Sequence, residues 1–259
     1  MSFVDKFVDW AYEGLLQSPE AQEYLLGRGI SKDQWKRHKL GYVIGDFEVD
    51  PDLDSKHSFI CSESNKETEC DSCKYNRWSS SWELQEGIRH KVIGSRIKNC
   101  VVFPLTTYSG TIIGFQVRSL VEKSYDTFAV KRRPEGYFFG IAANIESIWS
   151  KKEVWLVEGP ADMLIMERLV IPNVLALTTN AVNPNQFRFL ERFVHTINMC
   201  LDLDKAGREG VHRFMEKTGG RFKINDIKYP KANETSKDPG DLWKNWGDTK
   251  FKNYFNRKV

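Results

Sequence analysis

Apolar side chains recur at helical spacing near the N-terminus, at Phe3, Phe7, Trp10, Leu15, Leu16, Tyr24 and Leu25, and predict helix over residues 2–27. Ser18-Pro19-Glu20 divides that run: a serine N-cap followed by proline at the first helical position opens a second helix, which Gly29 ends. Ser31-Lys32-Asp33-Gln34 has the spacing of a capping box and starts a short basic helix through Lys39, closed by Gly41. Periodicity is lost over residues 45–95, which are rich in Asp, Ser and Lys. It returns at Cys100-Val101-Val102-Phe103, and Ser109-Gly110 makes a hairpin turn into residues 111–118. From residue 154 strands and helices alternate: strands at 154–157, 174–178, 196–202 and 222–229, with helices at 161–169, 184–193 and 205–217 between them. That order argues an α/β fold with a parallel sheet and covering helices. The pattern divides the chain into a mixed α+β N-terminal part at 1–150 with an insertion at about 46–95, an α/β domain at 151–245, and a C-terminal tail at 246–259.

Three acidic clusters fall where these strands end: Glu158-Gly-Pro-Ala-Asp162, Asp202-Leu-Asp204, and Lys237-Asp238-Pro-Gly-Asp241. In a chain that is 28% charged, one Asp-x-Asp is usually a solvated loop. Three in order at strand ends are another matter. Carboxylates at the carboxyl ends of parallel strands converge in the crevice where such sheets hold ligands, and their repulsion is tolerable only with a cation between them. Mg²⁺, a hard ion that takes oxygen ligands, suits such a set. Glu158 and Asp162 are four residues apart across a strand-to-helix turn, so both face that crevice.

At 259 residues the chain has room for two modest domains or one elaborated one, and 41% hydrophobic residues make it globular. A formal net charge of +3 is too mild to indicate nucleic acid alone. With metal neutralising part of the acidic set, however, the remaining Lys and Arg leave a surface suited to phosphates. No apolar stretch reaches the ~18–20 residues of a membrane span, and Met1-Ser-Phe-Val-Asp5 lacks the features of a signal peptide. Five cysteines, an odd number, fit an intracellular protein better than a disulfide framework, and the expected location is the cytoplasm.

Within the irregular stretch, His57, Cys61, Cys70 and Cys73 present four ligands of zinc type, the last two at Cys-x-x-Cys spacing, with His90 the alternative to His57. A zinc staple accounts for how so polar an insertion holds together. Lys74, Tyr75, Arg77, Trp78 and Trp82 in the same stretch suit stacking of single-stranded bases, although for each tryptophan alone core packing is the favoured use. Cys100 and Cys200 lie in strands and read as small buried hydrophobes.

The acidic clusters resemble those of the Toprim domain, shared by bacterial-type primases, topoisomerases, rRNA maturases, OLD-type nucleases and RecR. The stretch ahead of them is similar to the RNA polymerase domain of DnaG-type DNA primases. Tyr24-Leu-Leu-Gly-Arg28-Gly29-Ile30-Ser31 and Lys39-Leu40-Gly41-Tyr42 carry that likeness, as do Phe103-Pro104, Ile113-Gly114-Phe115, Arg118 and Gly136-Tyr-Phe-Phe-Gly140. It covers about residues 24–44 and 96–243. The resemblance implies that Glu158, Asp162, Asp202, Asp204 and Asp238 are catalytic acids, and that Glu158, Asp202, Asp204, Asp238 and Asp241 hold two or more Mg²⁺ or Mn²⁺ ions. It implies that Arg28 and Arg118 contact nucleotide or template phosphate, with Lys131 matching a further lysine for which Lys123 competes. Lys205 and Arg208 follow the second motif at a helix start, a poor place for cations unless phosphate lies nearby, so both are candidate nucleic-acid or nucleotide contacts. Gly240 departs from the family pattern, which often has an Asp there; either Asp241 substitutes or the third motif has one ligand fewer.

The implied activity is synthesis of short RNA primers on single-stranded DNA from ribonucleoside triphosphates, by two-metal nucleotidyl transfer. Glu158 either ligates metal or serves as general base. We expect a compact phage-encoded primase subunit, working with a replicative helicase or a separate template-reading subunit and with no membrane association. The competing readings are a Toprim nuclease, using the same acids to cleave, and a RecR-like DNA-binding mediator.

Overall fold

A computed structural model describes residues 3–45, 47, 97–122, 124–129, 137–169, 171–178, 182, 184–230 and 236–258. His57, Cys61, Cys70, Cys73 and Lys131, expected as zinc and phosphate ligands, lie outside the described residues. The chain forms two compact units that exchange segments: the first takes residues 1–24, 35–105 and 112–133, and the second takes 25–34, 106–111 and 134–259.

In the first unit, β1 (Gly41–Tyr42), β2 (Cys100–Thr106), β3 (Ile112–Ser119) and β4 (Tyr125–Ala129) form one sheet in chain order. The β1–β2 and β3–β4 pairs are antiparallel, in registers such as Gly41↔Val102 and Arg118↔Tyr125. Helix α1 (Phe3–Gln17) buries Val4, Phe7, Val8 and Ala11 with Val102, Phe115 and Val117. Phe7 stacks on Phe115 at 4.5 Å between centroids. Gly41, expected to close the basic helix, is instead a strand residue paired with Val102. The helix α3 (Lys32–Arg37) stops earlier, and Lys39 takes the left-handed turn at φ 49°.

The second unit has the expected α/β fold. Its parallel sheet runs β6-β5-β7-β8, with β5 (Glu153–Val157) between β6 (Val174–Ala176) and β7 (Thr196–Met199), and β8 (Lys223–Asp226) at the edge. Registers of Trp155↔Val174, Leu156↔Met199 and Ile197↔Ile224 bring the carboxyl ends level. Because the chain leaves β5 to one side for β6 and returns on the other for β7, the order reverses beside β5; in open parallel sheets such a reversal opens the ligand crevice. The connecting helices are α4 (Ile141–Lys151), which leads into β5, α5 (Pro160–Leu169), α6 (Pro184–Phe193) and α7 (Lys205–Thr218). Phe138, Ile148, Leu156, Leu190 and Ile197 are among the residues that fill the core.

Three strands, β6, β7 and β8, end sooner than the apolar pattern suggests, and beyond β7 and β8 the chain turns into the acidic loops. Cys200, one past β7, still donates its N–H to the Leu156 carbonyl at 2.8 Å before the chain turns away. The residues expected as a tail are also structured: α8 (Pro239–Phe255) runs through them, kinked at Gly247, with Phe251 and Phe255 fully buried. Phe255 meets Trp155 of β5 edge-on at 6.2 Å, so this helix closes the core beneath the sheet's central strand.

Candidate metal and nucleotide site

Glu158 is the first residue past β5, and α5 begins two residues later, which places Asp162 in the first turn of that helix. Asp202 and Asp204 follow β7; Asp204 is the N-cap of α7, its carboxylate accepting the Gly207 N–H at 2.9 Å. Asp238 caps α8 in the same way, accepting the Asp241 N–H at 2.6 Å, and Asp241 lies in that helix's first turn. Two of the three clusters are therefore helix N-caps, where Asp is favoured because it satisfies an otherwise unpaired N–H.

Main-chain bonds tie the three loops into one rim. The Asp202 N–H donates to Glu158 Oε1 at 3.3 Å, and the Gly240 N–H to Asp162 Oδ1 at 2.8 Å. The Leu203 N–H donates to the Lys237 carbonyl at 2.8 Å. The buried Tyr229 hydroxyl lies 3.1 Å from the Leu201 carbonyl and 2.9 Å from that of Lys237, bridging the second and third loops. Gly240 explains the departure from the family pattern. A Cβ there would stand 2.9 Å from Asp162 Oδ1 and 3.3 Å from Asp238 Oδ1, so the backbone itself occupies the space between those two carboxylates.

Burial and mutual repulsion act together on these acids. Burial, then Glu158, Asp238, Asp204 and Asp241, push the Asp202 carboxyl up to about 8. Burial also raises Glu158 and Asp238, each partly offset by the N–H it accepts. Asp162 is pushed well above the usual carboxylate range by burial and by Asp238 and Asp202, against the Gly240 N–H and the Arg28 charge. Oxygen donors crowded until their anionic forms are disfavoured are suited to a hard divalent cation. Among the described residues, however, no group of three or more His, Cys, Asp or Glu side chains is closed to metal-binding spacing. The acids share a rim rather than a single point, and Glu158, Asp162, Asp204 and Asp238 each have one oxygen on a backbone N–H.

Arg28 reaches this rim from the α2–α3 turn, where α2 spans Pro19–Gly27, and its charge favours ionisation of both Asp162 and Asp238. Two contacts hold that turn. Gly29, at φ 74°, lies under the Trp243 ring of α8, which a Cβ would approach to 2.6 Å. Gln34 closes the expected capping box with Ser31 and extends Nε2 to the Leu164 carbonyl at 2.7 Å and to Glu167 at 2.9 Å, on α5. Lys205 is exposed at the start of α7, 3.8 Å from Glu209. Arg118 belongs to the other unit, with its guanidinium 4.2 Å from the Tyr125 ring centre.

Thr178 had no sequence signal. A β-branched residue at φ 60°, it donates its N–H to the Glu158 carbonyl at 3.0 Å and holds the backbone where the first motif leaves the sheet. Strain of this kind concentrates at functional sites, but a threonine in an apolar run does not announce it.

A parallel sheet with acids gathered at its switch point defines a Toprim-like module, and the family model described as Toprim-like matches residues 155–243. Within that class the likeness is to DNA primases of the DnaG type, as the residues ahead of the module suggest. The DNA primase of Clostridium acetobutylicum is 26% identical over 254 residues, which cover 93% of this chain and 38% of that protein. The DNA primase of Aquifex aeolicus is 26% identical over 215 residues, covering 80% and 39%. The zinc-binding and RNA polymerase domains of the Aquifex aeolicus primase superpose with a TM-score of 0.69 at 25% identity, covering 98% of this chain and 59% of that one. A DnaG primase catalytic domain bound to single-stranded DNA has the same fold, with a TM-score of 0.68 at 19% identity. The chain thus spans under two-fifths of the length of these curated relatives. No helix among the described residues is long and apolar enough to cross a membrane.

Proposed function

We propose that this chain is the catalytic part of a DNA primase, joining ribonucleoside triphosphates into short RNA on a single-stranded DNA template. The observation that carries this reading is the convergence of Glu158, Asp162, Asp202 and Asp238 from three distant segments onto one rim, where their charges act on one another. Glu158, Asp202, Asp204, Asp238 and Asp241 supply the oxygen donors for Mg²⁺ or Mn²⁺. Bound there, two such ions would make a 3′-hydroxyl more nucleophilic and neutralise the triphosphate it attacks.

The chain's own groups prepare that chemistry. Asp162 accepts the Gly240 N–H and so fixes the third motif against the first. Arg28, held by the Gly29 turn, offers a planar fork suited to bidentate contact with phosphate oxygens. Glu158, at the strand end, is raised by burial and is therefore positioned to hold a proton from the attacking hydroxyl if it is not itself a ligand.

Incubation with Mg²⁺, ribonucleoside triphosphates and a panel of short single-stranded DNAs tests the reading, with supercoiled duplex as a parallel substrate. Template-dependent ribonucleotide joining is expected. Nicking of the duplex without joining would assign the same acids to a nuclease.

A further inference from the structure

A groove of about 440 Å³ runs beside the acidic rim, between α7 and the segment leaving β8. Its floor is apolar, with Leu201, Val211 and Ile227, and Asp202 stands at its edge. Asp202 also belongs to the acidic rim, so the groove borders the rim at that side chain. Arg208 lines the groove in the first turns of α7, with one guanidinium nitrogen donating to the Leu203 carbonyl at 2.6 Å. Met215, 40% exposed, lines it further along the helix. Seven residues separate Arg208 from Met215, ~10 Å at the helical rise, and the volume lies within the range of small-ligand pockets.

Resting on the primase reading, we propose that this groove holds the base and ribose of a ribonucleoside triphosphate whose phosphate end lies at Asp202, with Arg208 beside the phosphates. A planar base needs an apolar floor with polar groups confined to its edges, and this groove offers Val211 and Ile227 below with Arg208 and Lys228 at the sides. Lys228 lies 2.9 Å from Asp226, so that side of the groove presents a surface ion pair. Its open side is formed in part by Met215, whose flexible thioether adapts to either purine or pyrimidine faces. Met215 and Arg208 are thereby nucleotide-contacting residues outside the acidic motifs.

The test is photolabelling of the whole chain with 8-azido-ATP and Mg²⁺, mapped by peptide mass spectrometry, together with the KM for ATP in ribonucleotide joining. Label within residues 201–215 or 226–229, displaced by ATP, is expected. Met215→Trp, which narrows the groove, should raise the KM about tenfold, a change of ~1.4 kcal/mol in binding. If Met215→Trp does not fold by circular dichroism, Arg208→Ala takes its place with the same expectation. Joining by the unaltered chain with label elsewhere and an unchanged KM overturns the groove site and leaves the primase reading intact. Label in the groove without joining overturns the primase reading and supports the groove as a nucleotide site.

Discussion

Asp202 stands where burial and four neighbouring carboxylates act in one direction, and its behaviour with pH follows. Its proton is held more tightly in the folded protein, at about 8, than at the ordinary value of 3.8. The contribution of Asp202 to the stability of the metal-free chain is therefore fullest at low pH and is lost as pH rises through the folded value, because the native state binds the extra proton. Glu158, Asp162 and Asp238 are shifted in the same direction and reinforce the trend. Thermal melts in chelator should show the midpoint falling from about pH 5 to about pH 8, and Asp202→Asn should flatten that slope; an unchanged slope in the variant would remove Asp202 as its source. At this scale the acids were legible because Glu-x₃-Asp, Asp-x-Asp and Lys-Asp-Pro recur at strand ends. Thr178 and Tyr229 were not, since their roles rest on a backbone angle and on carbonyls distant in sequence.

The turn between α2 and α3 couples a segment near the N-terminus to a domain that begins over a hundred residues later. Gly29 permits this twice over, by its φ of 74° and by leaving room for the Trp243 ring. Gly29→Ala adds a methyl group where both conditions oppose it and should cost on the order of 1–3 kcal/mol, read as a lower urea midpoint, with weaker nucleotide binding because Arg28 moves with the turn. A variant as stable as the parent would show that the turn does not depend on glycine. The capping box at Ser31–Gln34 was readable as a local signal. That Gln34 also donates to Leu164 was not, because a bond spanning 130 residues leaves no periodic trace. The same reason accounts for α8: its apolar positions look sparse in sequence, yet Phe251 and Phe255 are buried by tertiary packing.

Across the whole molecule, alternating patterns revealed the parallel sheet, whereas the exchange of segments 25–34 and 106–111 between units rests on contacts distant in sequence that leave no local pattern. Arg118 belongs to the antiparallel unit and the acids to the parallel one. Arg118→Ala should raise the KM for ribonucleotides about tenfold while leaving Mn²⁺ affinity at the acids unchanged; an unaltered KM would remove Arg118 from the substrate path. The central claim is that acids from three separate motifs hold the same divalent ions. Mn²⁺ titration followed by electron paramagnetic resonance tests it most directly, on the parent chain, on Asp202→Asn with Asp204→Asn, and on Asp238→Asn. Tight Mn²⁺ binding that is weakened by altering either motif is predicted, whereas full binding in both variants would contradict a shared site.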